Sequence, residues 1–303
     1  VQMLYDIVRK LPDDAEINFK QSGDQLVVSS GRAVFRLPTL PAENFPAMAG
    51  SNLTTKFQMT TGDLAHLINQ TKFAIPTDDV RYHLGGIYFH ISDEGKEKML
   101  TAVATDAQRM ALCAMPAPEG SADMPAVILP RRVIGELSKL LEDATVDDCM
   151  VELSDTKARF TVGAATLTSK LVDAQYPNYR VVIPKGNDKI AILDRKQFVN
   201  AVDLVSVASV DKTKSVQLTY SMNKLVVNAS SPDAGTATQE LDIEYNSDAS
   251  FTVTFNVKFL LDVAGQVEGE KFQMEMQDPL SPTIIKSTDK NTDALFILMP
   301  MRM

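Results

Sequence analysis

The sequence predicts an α+β protein made of repeated domains, each with two helices on one side of antiparallel sheets. The first observation is self-similarity, because a helix, an acidic turn and alternating strands recur three times along the 303 residues. The second is a pair of aromatic–proline endings, Phe45-Pro46 and Tyr176-Pro177, which lie 131 positions apart. The third is a hydrophobic content of 45%, which is ample for the cores of two or three domains.

The first copy is one helix followed by strands, and we expect it to be the second half of a domain over residues 1–53. Pro12-Asp13-Asp14 breaks the helix, and Leu26-Val27-Val28 and Ala33-Val34-Phe35 have the pattern of strands. By comparison with the other copies, we expect about 60 residues of a front half to be missing from this sequence, either because it is a fragment or because disordered residues are left out. The apolar residues at helical spacing are Leu4, Ile7, Val8 and Leu11.

The second and third copies are complete, and we expect domains over residues 54–185 and 190–303. Each has a first helix, after the predicted caps Thr61 and Asp194, and a second helix farther along the chain. Strands follow every helix. The predicted helical stretches of the whole chain are 1–11, 61–73, 131–142, 195–209 and 257–268.

Charge separates these helices from the rest of the chain. They carry nine Lys or Arg against seven Asp or Glu, although the chain as a whole has a net charge of −9. Repeated helices on one face of continuous sheets suit a curved ring, whose lumen would then be basic relative to its acidic rim. Such a lumen could attract phosphates without reading base sequence. By composition alone, ordinary solvated helix faces explain the same charges.

The chemistry-bearing residues give no enzyme motif. His66, His83 and His90 match no metal-ligand or nucleophile spacing. Asp106 and Arg109 could be an acid–base pair of a hydrolase, but their tight turn favours an Asp that caps its own backbone. Cys113 and Cys149 are in apolar, strand-like contexts typical of core residues in a reducing cytosol. We expect no catalysis, no cofactor, no metal, no secretion signal and no membrane span.

The C-terminal end is unusual because it is apolar. An apolar run reaches Met299, a proline stops it, and Met301-Arg302-Met303 ends the chain. Either the run is a last strand packed on the core, or it is one wall of a pocket for a partner's side chains. Both hold if Ile297 is inside and Leu298 and Met299 line a surface groove.

Four stretches together resemble the bacterial sliding clamp family, the β subunit of DNA polymerase III, and the resemblance runs from residue 1 to 303. They are Asp79 to Gly86, Ala104 to Ala111, Ser169 to Arg180 and Phe296 to Met303. The resemblance implies the DNA clamp fold with three domains per full chain, here lacking the front half of the first. It also implies a non-enzymatic processivity factor in the bacterial cytoplasm, associated with the nucleoid.

The partners implied by the resemblance are a second copy of the chain and double-stranded DNA of any sequence. Others are the DNA polymerase III catalytic subunit, the clamp loader, and other polymerases and repair proteins with a clamp-binding peptide. The chain departs from the family at Ala107-Gln108, Val181 and Phe259, which puts the polar rim of the peptide pocket in question. A monomeric peptide-binding adaptor without a DNA role is the alternative.

Three sets of site residues follow. The resemblance implies a partner-peptide pocket lined by Leu84, Thr105, Ala107, Gln108, Arg109, Met110, Pro177, Val182, Ile297, Leu298, Met299, Pro300, Met301 and Arg302. The helix charges and the resemblance together predict that DNA is faced by Arg9, Lys10, Arg81, Tyr82, Arg131, Arg132, Arg195 and Lys196. The resemblance also implies a dimer contact between two chains, with Phe35 and Leu37 on one side and Val207 and Ala208 on the other.

Overall fold

A computed structural model describes residues 2–44, 53–78, 80–94, 97–209, 214–289 and 293–302. The chain divides into two compact units, Val1–Ser51 and Asn52–Met303. The predicted ending Phe45-Pro46 of the first copy lies outside the described residues, as do Asp79 and Met303 of the family-like stretches.

The first unit is a short helix followed by a three-stranded antiparallel meander in the order β1-β2-β3. Its helix ends at Val8, so Arg9 and Lys10 lie in the turn that follows rather than in the predicted helix over 1–11. The elements are α1 (Gln2–Val8), β1 (Asn18–Ser22), β2 (Gln25–Ser30) and β3 (Ala33–Pro38).

The second unit contains two copies of one ten-element pattern. The middle copy consists of β4 (Thr55–Thr60), α2 (Thr61–Thr71), β5 (Gly86–Glu94), β6 (Glu97–Thr105), β7 (Arg109–Pro116), β8 (Val127–Pro130), α3 (Arg131–Glu142), β9 (Asp148–Leu153), β10 (Lys157–Val162) and β11 (Ala165–Lys170). The last copy consists of β12 (Lys189–Asp194), α4 (Arg195–Ser206), β13 (Ser215–Ser221), β14 (Lys224–Ser231), β15 (Gly235–Asp242), β16 (Glu244–Tyr245), β17 (Phe251–Asn256), α5 (Val257–Gln266), β18 (Lys271–Met276), β19 (Thr283–Ser287) and β20 (Ala294–Leu298). The short strand β16 is the one addition to the pattern.

The two copies have the same strand order, which confirms the repeat predicted from the sequence. The middle copy has β7-β6-β5-β8 and β11-β10-β9-β4, and the last copy has β15-β14-β13-β17 and β20-β19-β18-β12. Strand β20 pairs with β7 in antiparallel fashion, which joins one sheet from each copy into a nine-stranded sheet. The first unit repeats the helix and three strands that end each copy.

Three of the four helices in the second unit begin with a side-chain cap. Thr60 accepts a hydrogen bond from the Asp63 backbone N–H at 2.9 Å, and Asp194 accepts one from Gln197 at 2.8 Å. Asn256 caps α5 in the same way. The expectation that Thr61 is the first of these caps is wrong by one residue, because Thr61 is the first residue inside α2. Helix α3 follows Pro130, whose side chain makes no cap bond.

Alternation along the strands divides the buried side chains between two clusters. The larger cluster lies between the sheets and helices of both copies and includes Ala111, Cys113, Phe296 and Leu298. The smaller one consists of Leu84, Val103, Met110, Ile128, Tyr176, Tyr179 and Ile297. Both cysteines are free and buried, which confirms the prediction that they are core residues. None of the described helices is long and apolar enough to cross a membrane.

Candidate functional site

The candidate site is built where β7 meets β20. Met110 lies opposite Ile297 in this antiparallel pair, and both belong to the smaller apolar cluster. Beyond the strand, the Met299 backbone N–H donates to the Gln108 carbonyl at 2.8 Å. The pairing therefore continues one residue past β20 and fixes the start of the C-terminal tail against the turn before β7.

A cavity of about 220 Å³ opens at this point. Both copies contribute walls, and the segment between them closes a third side with a short 3-10 helix, Tyr179–Val182. The residues that line it are Leu84, Thr105, Ala107, Arg109, Met110, Pro177, Asn178, Tyr179, Val182, Ile297 and Met299. Apolar walls with a few polar groups are typical of sites that bind small molecules or peptide side chains.

The turn between β6 and β7 forms one rim of the cavity. Asp106 Oδ1 accepts hydrogen bonds from the backbone N–H groups of Gln108 at 2.9 Å and Arg109 at 3.0 Å. Ala107 adopts a positive φ of 72°, which the tight turn requires and which L residues seldom adopt. Asp106 Oδ2 accepts from Arg109 Nε at 3.1 Å. Both carboxylate oxygens are thus engaged in shaping the turn, as an Asp that caps its own backbone predicts.

Arg109 ties the two copies together beneath this rim. Its side chain is 8% exposed, and Nη1 forms an ion pair with Asp262 of α5. Nη2 donates to the Phe73 carbonyl at 2.9 Å, and the guanidinium lies 4.6 Å from the ring centroid of Phe259. A buried cation is tolerated only when it is paired and hydrogen-bonded. The arginine therefore holds the rim of the cavity by contacts with both copies.

Aromatic residues attach the segment between the copies to strand β5 of the middle copy. Tyr88 and Tyr176 stack with ring centroids 4.6 Å apart, and the Tyr179 hydroxyl lies 3.0 Å from His90 Nε2. Burial raises the pKa of Tyr176 well above its ordinary value. His90 is therefore part of a buried aromatic cluster, in agreement with a structural histidine.

The structure gathers nine of the predicted pocket residues around the cavity. Leu298 is not among them and is a correction, since it is fully buried in the larger cluster while Ile297 faces the cavity. Ile297 is buried as expected and also lines the cavity, whereas Leu298 lies on the opposite face, because consecutive strand residues point to opposite faces. Gln108 contributes its carbonyl, the Met301 N–H donates to the Thr254 carbonyl at 2.8 Å, and Arg302 is exposed. Met301, Arg302 and the half-buried Pro300 do not line the cavity.

Two lining residues were missed from the sequence, Asn178 and Tyr179. The signal was present, because both belong to the family-like stretch that also contains Pro177. Asn178 accepts a hydrogen bond from the Arg180 backbone N–H at 3.2 Å, which starts the 3-10 helix. That local cap places Tyr179 and Val182 toward the cavity.

The residues predicted to face DNA lie at helix starts and turns. Arg131 and Arg132 open α3 and are exposed, and Arg195 and Lys196 open α4. Arg131 donates weakly to the Pro76 carbonyl at 3.4 Å, and Arg195 Nε donates to the Gly269 carbonyl at 3.0 Å. With the observed boundaries, the five helices carry six cations and six anions, so the predicted excess of positive charge is lost. The helices are neutral, while the remainder of the chain carries the negative charge.

Arg81 and Tyr82 lie just before the short 3-10 helix Tyr82–Leu84 and at its first residue. Arg81 donates to Asp78 at 2.8 Å and to the Asp106 carbonyl, so its guanidinium supports the turn beside the cavity. Tyr82 is 63% exposed. The predicted dimer residues Phe35 and Leu37 are half-buried on β3, whereas Val207 is exposed and Ala208 is buried after α4.

This architecture, two helices beside antiparallel sheets in copies of one strand order, is the DNA clamp fold. Models of the N-terminal, central and C-terminal domains of the DNA polymerase III beta subunit match residues 1–49, 58–178 and 180–302. The chain belongs to the DNA polymerase III β subunit family, whose members are sliding clamps.

The similar proteins agree with one another. The beta sliding clamp of Caulobacter vibrioides is 43% identical over 303 residues, which is 99% of this chain and 80% of that protein. The beta sliding clamp of Escherichia coli is 35% identical over 299 residues, with the same coverage. The crystal structure of the Bartonella birtlesii clamp bound to griselimycin has a TM-score of 0.89 at 40% identity and covers 100% of this chain and 80% of that one. The Caulobacter crescentus structure has a TM-score of 0.88 at 41% identity and covers 100% and 81%.

Proposed function

We propose that this chain is a non-enzymatic processivity factor in the bacterial cytoplasm. It encircles duplex DNA as a head-to-tail dimer and tethers DNA polymerase III and other DNA-working proteins through the cavity at β7 and β20. Its domains span residues 1–53, 54–185 and 190–303. The observation that carries the proposal is the apolar cavity itself, built by both copies and the segment between them.

The cavity suits a short peptide with apolar side chains at its end. Its volume of about 220 Å³ holds one or two side chains rather than a folded domain. Burial of two such side chains is worth roughly 3–6 kcal/mol before ordering costs, which corresponds to an affinity between millimolar and tens of micromolar rather than nanomolar. Met110 and Met299 are flexible thioethers, and these suit a wall that accepts more than one partner.

Two adjacent valines offer a matched test. Val182 lines the cavity and is 48% exposed, whereas Val181 is 75% exposed and does not line it. Val182→Glu should weaken binding of a peptide with Gln and two C-terminal apolar residues at least about tenfold, because a charge would be desolvated. Val181→Glu should bind as the wild type does. Peptide titration by fluorescence anisotropy measures the affinity of both variants. Equal affinities would show that the cavity does not bind the peptide.

Deletion of residues 299–303 tests the tail separately. It removes Met299 from the lining and should abolish binding of the same peptide. Met110→Lys, the equivalent change in the middle copy, puts a charge at a site that is 2% exposed and therefore also threatens folding. Circular dichroism should accompany it. If the deletion variant folds and binds the peptide with unchanged affinity, the tail packs on the core but does not take part in peptide binding.

The position of Arg131 and Arg132 at the start of α3 supports a role for them in DNA contact. Cations at a helix N-terminus oppose the macrodipole, and α3 has no side-chain cap to compensate. A local rule broken without structural gain often marks a functional position. Phosphate contacts by such residues are independent of sequence and weaken with salt, which suits sliding.

Retention on circular and linear duplexes tests the DNA role. The full-length dimer should slide off linear DNA with free ends and stay on circles, and Arg131→Glu with Arg132→Glu should reduce retention. The matched control is Lys170→Glu with Lys224→Glu, which changes the charge equally on strands β11 and β14. Equal retention on open linear and circular DNA would contradict encirclement. If the two double variants reduce retention on circular DNA equally, Arg131 and Arg132 have no specific role in DNA contact.

The internal repeat supports head-to-tail closure. Within this chain, β20 pairs with β7. The counterpart of β20 in the first unit is β3, and the counterpart of β7 in the last copy is β15. Both are outer strands in the part of the chain that the structure describes. The same antiparallel join between β3 of one chain and β15 of another would continue the sheets across a dimer.

Val207 is 74% exposed just after the end of α4, a helix that packs against β15. Val207→Glu should shift a full-length dimer toward monomer in sedimentation velocity, while Val181→Glu should not. A monomeric wild type that still binds peptide would favour the alternative of a peptide-binding adaptor.

A further inference from the structure

A second cluster of chemistry-bearing side chains lies at the other end of the β7–β20 pair, on the opposite face from the peptide cavity. Cys113 of β7 lies opposite Ala294, the residue after Asp293. His66 of α2 reaches the same point, and its Nε2 lies 3.1 Å from both Asp293 carboxylate oxygens. The imidazole nitrogen, the thiol sulfur and the carboxylate oxygen all lie within 4.8 Å of one another.

We propose that His66, Cys113 and Asp293 form a binding site for a divalent transition-metal ion of the zinc class. An imidazole, a thiolate and a carboxylate are all ligands that Zn²⁺ uses. Ligand atoms around a tetrahedral zinc ion are about 3.5 Å apart. His66 Nε2 and Asp293 are already that close, so at most the Cys113 thiol must approach them by about 1 Å. A water molecule would fill the fourth position, since His66 and Asp293 are each 32% exposed.

Glu268 supplies the orienting contact that such sites use. Its carboxylate lies 3.4 Å from His66 Nδ1, so Nε2 is the nitrogen that faces Cys113 and Asp293. Gln70 Nε2 donates to the same carboxylate at 2.9 Å, which fixes it in place. A carboxylate on the second nitrogen of a metal-binding histidine sets its tautomer and orientation. Asp63 adds negative charge from the same helix as His66.

Without a bound ion, the His66 imidazole and the Cys113 thiol favour their protonated forms. The hydrogen bond that His66 donates to Asp293, together with the Asp293 charge, raises the pKa of His66, and burial raises the pKa of the Cys113 thiol far above its ordinary value. Binding would release the thiol proton and any proton on His66 Nε2. The two negative charges of thiolate and carboxylate would then neutralise the ion. A bound ion would also join α2 and β7 of the middle copy to the start of β20.

Cobalt(II) is the probe, because a cobalt–thiolate bond gives a near-ultraviolet charge-transfer band. The Cys149→Ser variant is the reference, since Cys113 is then the only cysteine of the two in the chain. It should bind one Co²⁺ with that band, and Zn²⁺ should displace the cobalt. No band in the folded reference protein at millimolar Co²⁺ would overturn the proposal.

Ligand variants in the same background locate the ion. Cys113→Ser should abolish the band, and His66→Gln and Asp293→Asn should each weaken binding at least tenfold. Glu268→Gln should weaken it about tenfold through orientation alone. The matched control is Asp63→Asn, a carboxylate on α2 outside the ligand set, which should weaken binding by no more than about twofold because it contributes only nearby charge. A band that survives Cys113→Ser, or an equal loss in Asp63→Asn, would overturn the site.

Discussion

The middle and last copies share one strand order, but the outer strand of the equivalent sheet, β7 in one and β15 in the other, has a different environment in each. Strand β7 of the middle copy is largely buried and pairs with β20, whereas β15 of the last copy alternates exposed and half-buried residues. Arg109 opens β7 and ties both copies together, whereas Gly235 opens β15 at a positive φ of 82°. The comparison shows that one backbone pattern can carry either a covered strand or an open edge, and that side chains decide which.

The largest effect on stability should come from the arginine that covers the middle copy's edge. Arg109→Met should destabilise the protein by about 3–5 kcal/mol, because Asp262 loses its partner and the Phe73 carbonyl loses its donor. Urea denaturation measures the loss. Arg159→Met is the control, since Arg159 forms a partly exposed ion pair with Glu152, worth about 1 kcal/mol or less. Similar losses in the two variants would mean that Arg109 does not bind the copies together.

A smaller effect is expected where the two copies start equivalent strands. Gly86 opens β5 opposite Pro130, and a Cβ there would overlap the Leu129 carbonyl oxygen. Ser215 opens β13 opposite Asn256 and already carries a side chain. Gly86→Ala should cost about 1–3 kcal/mol by forcing β5 and β8 apart. Ser215→Ala should stay within about 0.5 kcal/mol, and calorimetry of both variants compares them. A neutral Gly86→Ala would show that the two strand starts do not differ.

The smallest effect, and one of opposite sign, is expected at the helix starts that differ between the copies. Arg131→Glu with Arg132→Glu should stabilise α3 by about 0.3–1 kcal/mol per charge, because acids suit a helix N-terminus. Helix α5 begins with the Asn256 cap and Lys258, so Lys258→Glu is the comparison. Thermal unfolding at low and high salt separates the electrostatic part. A loss of stability in the arginine variant would mean that these cations are structural.

Much of the architecture was readable because it depends on local patterns. Helical spacing, the Asp194 cap and the repeated helix–strand order predicted both complete copies. Helix ends were less accurate, and moving Arg9 and Lys10 out of α1 removed the predicted positive excess. Frayed helix ends depend on which turn the tertiary packing supports, and sequence spacing does not record that.

The candidate cavity was readable in part. Residues of the turn before β7 and of the tail were expected together from family-like stretches, and the structure gathers most of them. Ile297 was expected inside and in the pocket, and it is buried and lines the cavity, but Leu298 was expected in the groove and lies on the other face. An apolar run that is buried on both faces has no polar side chains to show which residues face which way. Asn178 and Tyr179 were missed because their role depends on how the segment between the copies folds back.

The sequence by itself determined the repeat, the Asp194 cap and the turn chemistry of Asp106, because these depend on local patterns along the chain. Only the tertiary structure decided that β20 pairs with β7, which brings Arg109 to Asp262 and His66 to Asp293. Those partners are 153 and 227 residues apart in the chain. Contacts at such separations depend on how whole sheets pack, and no local pattern specifies them.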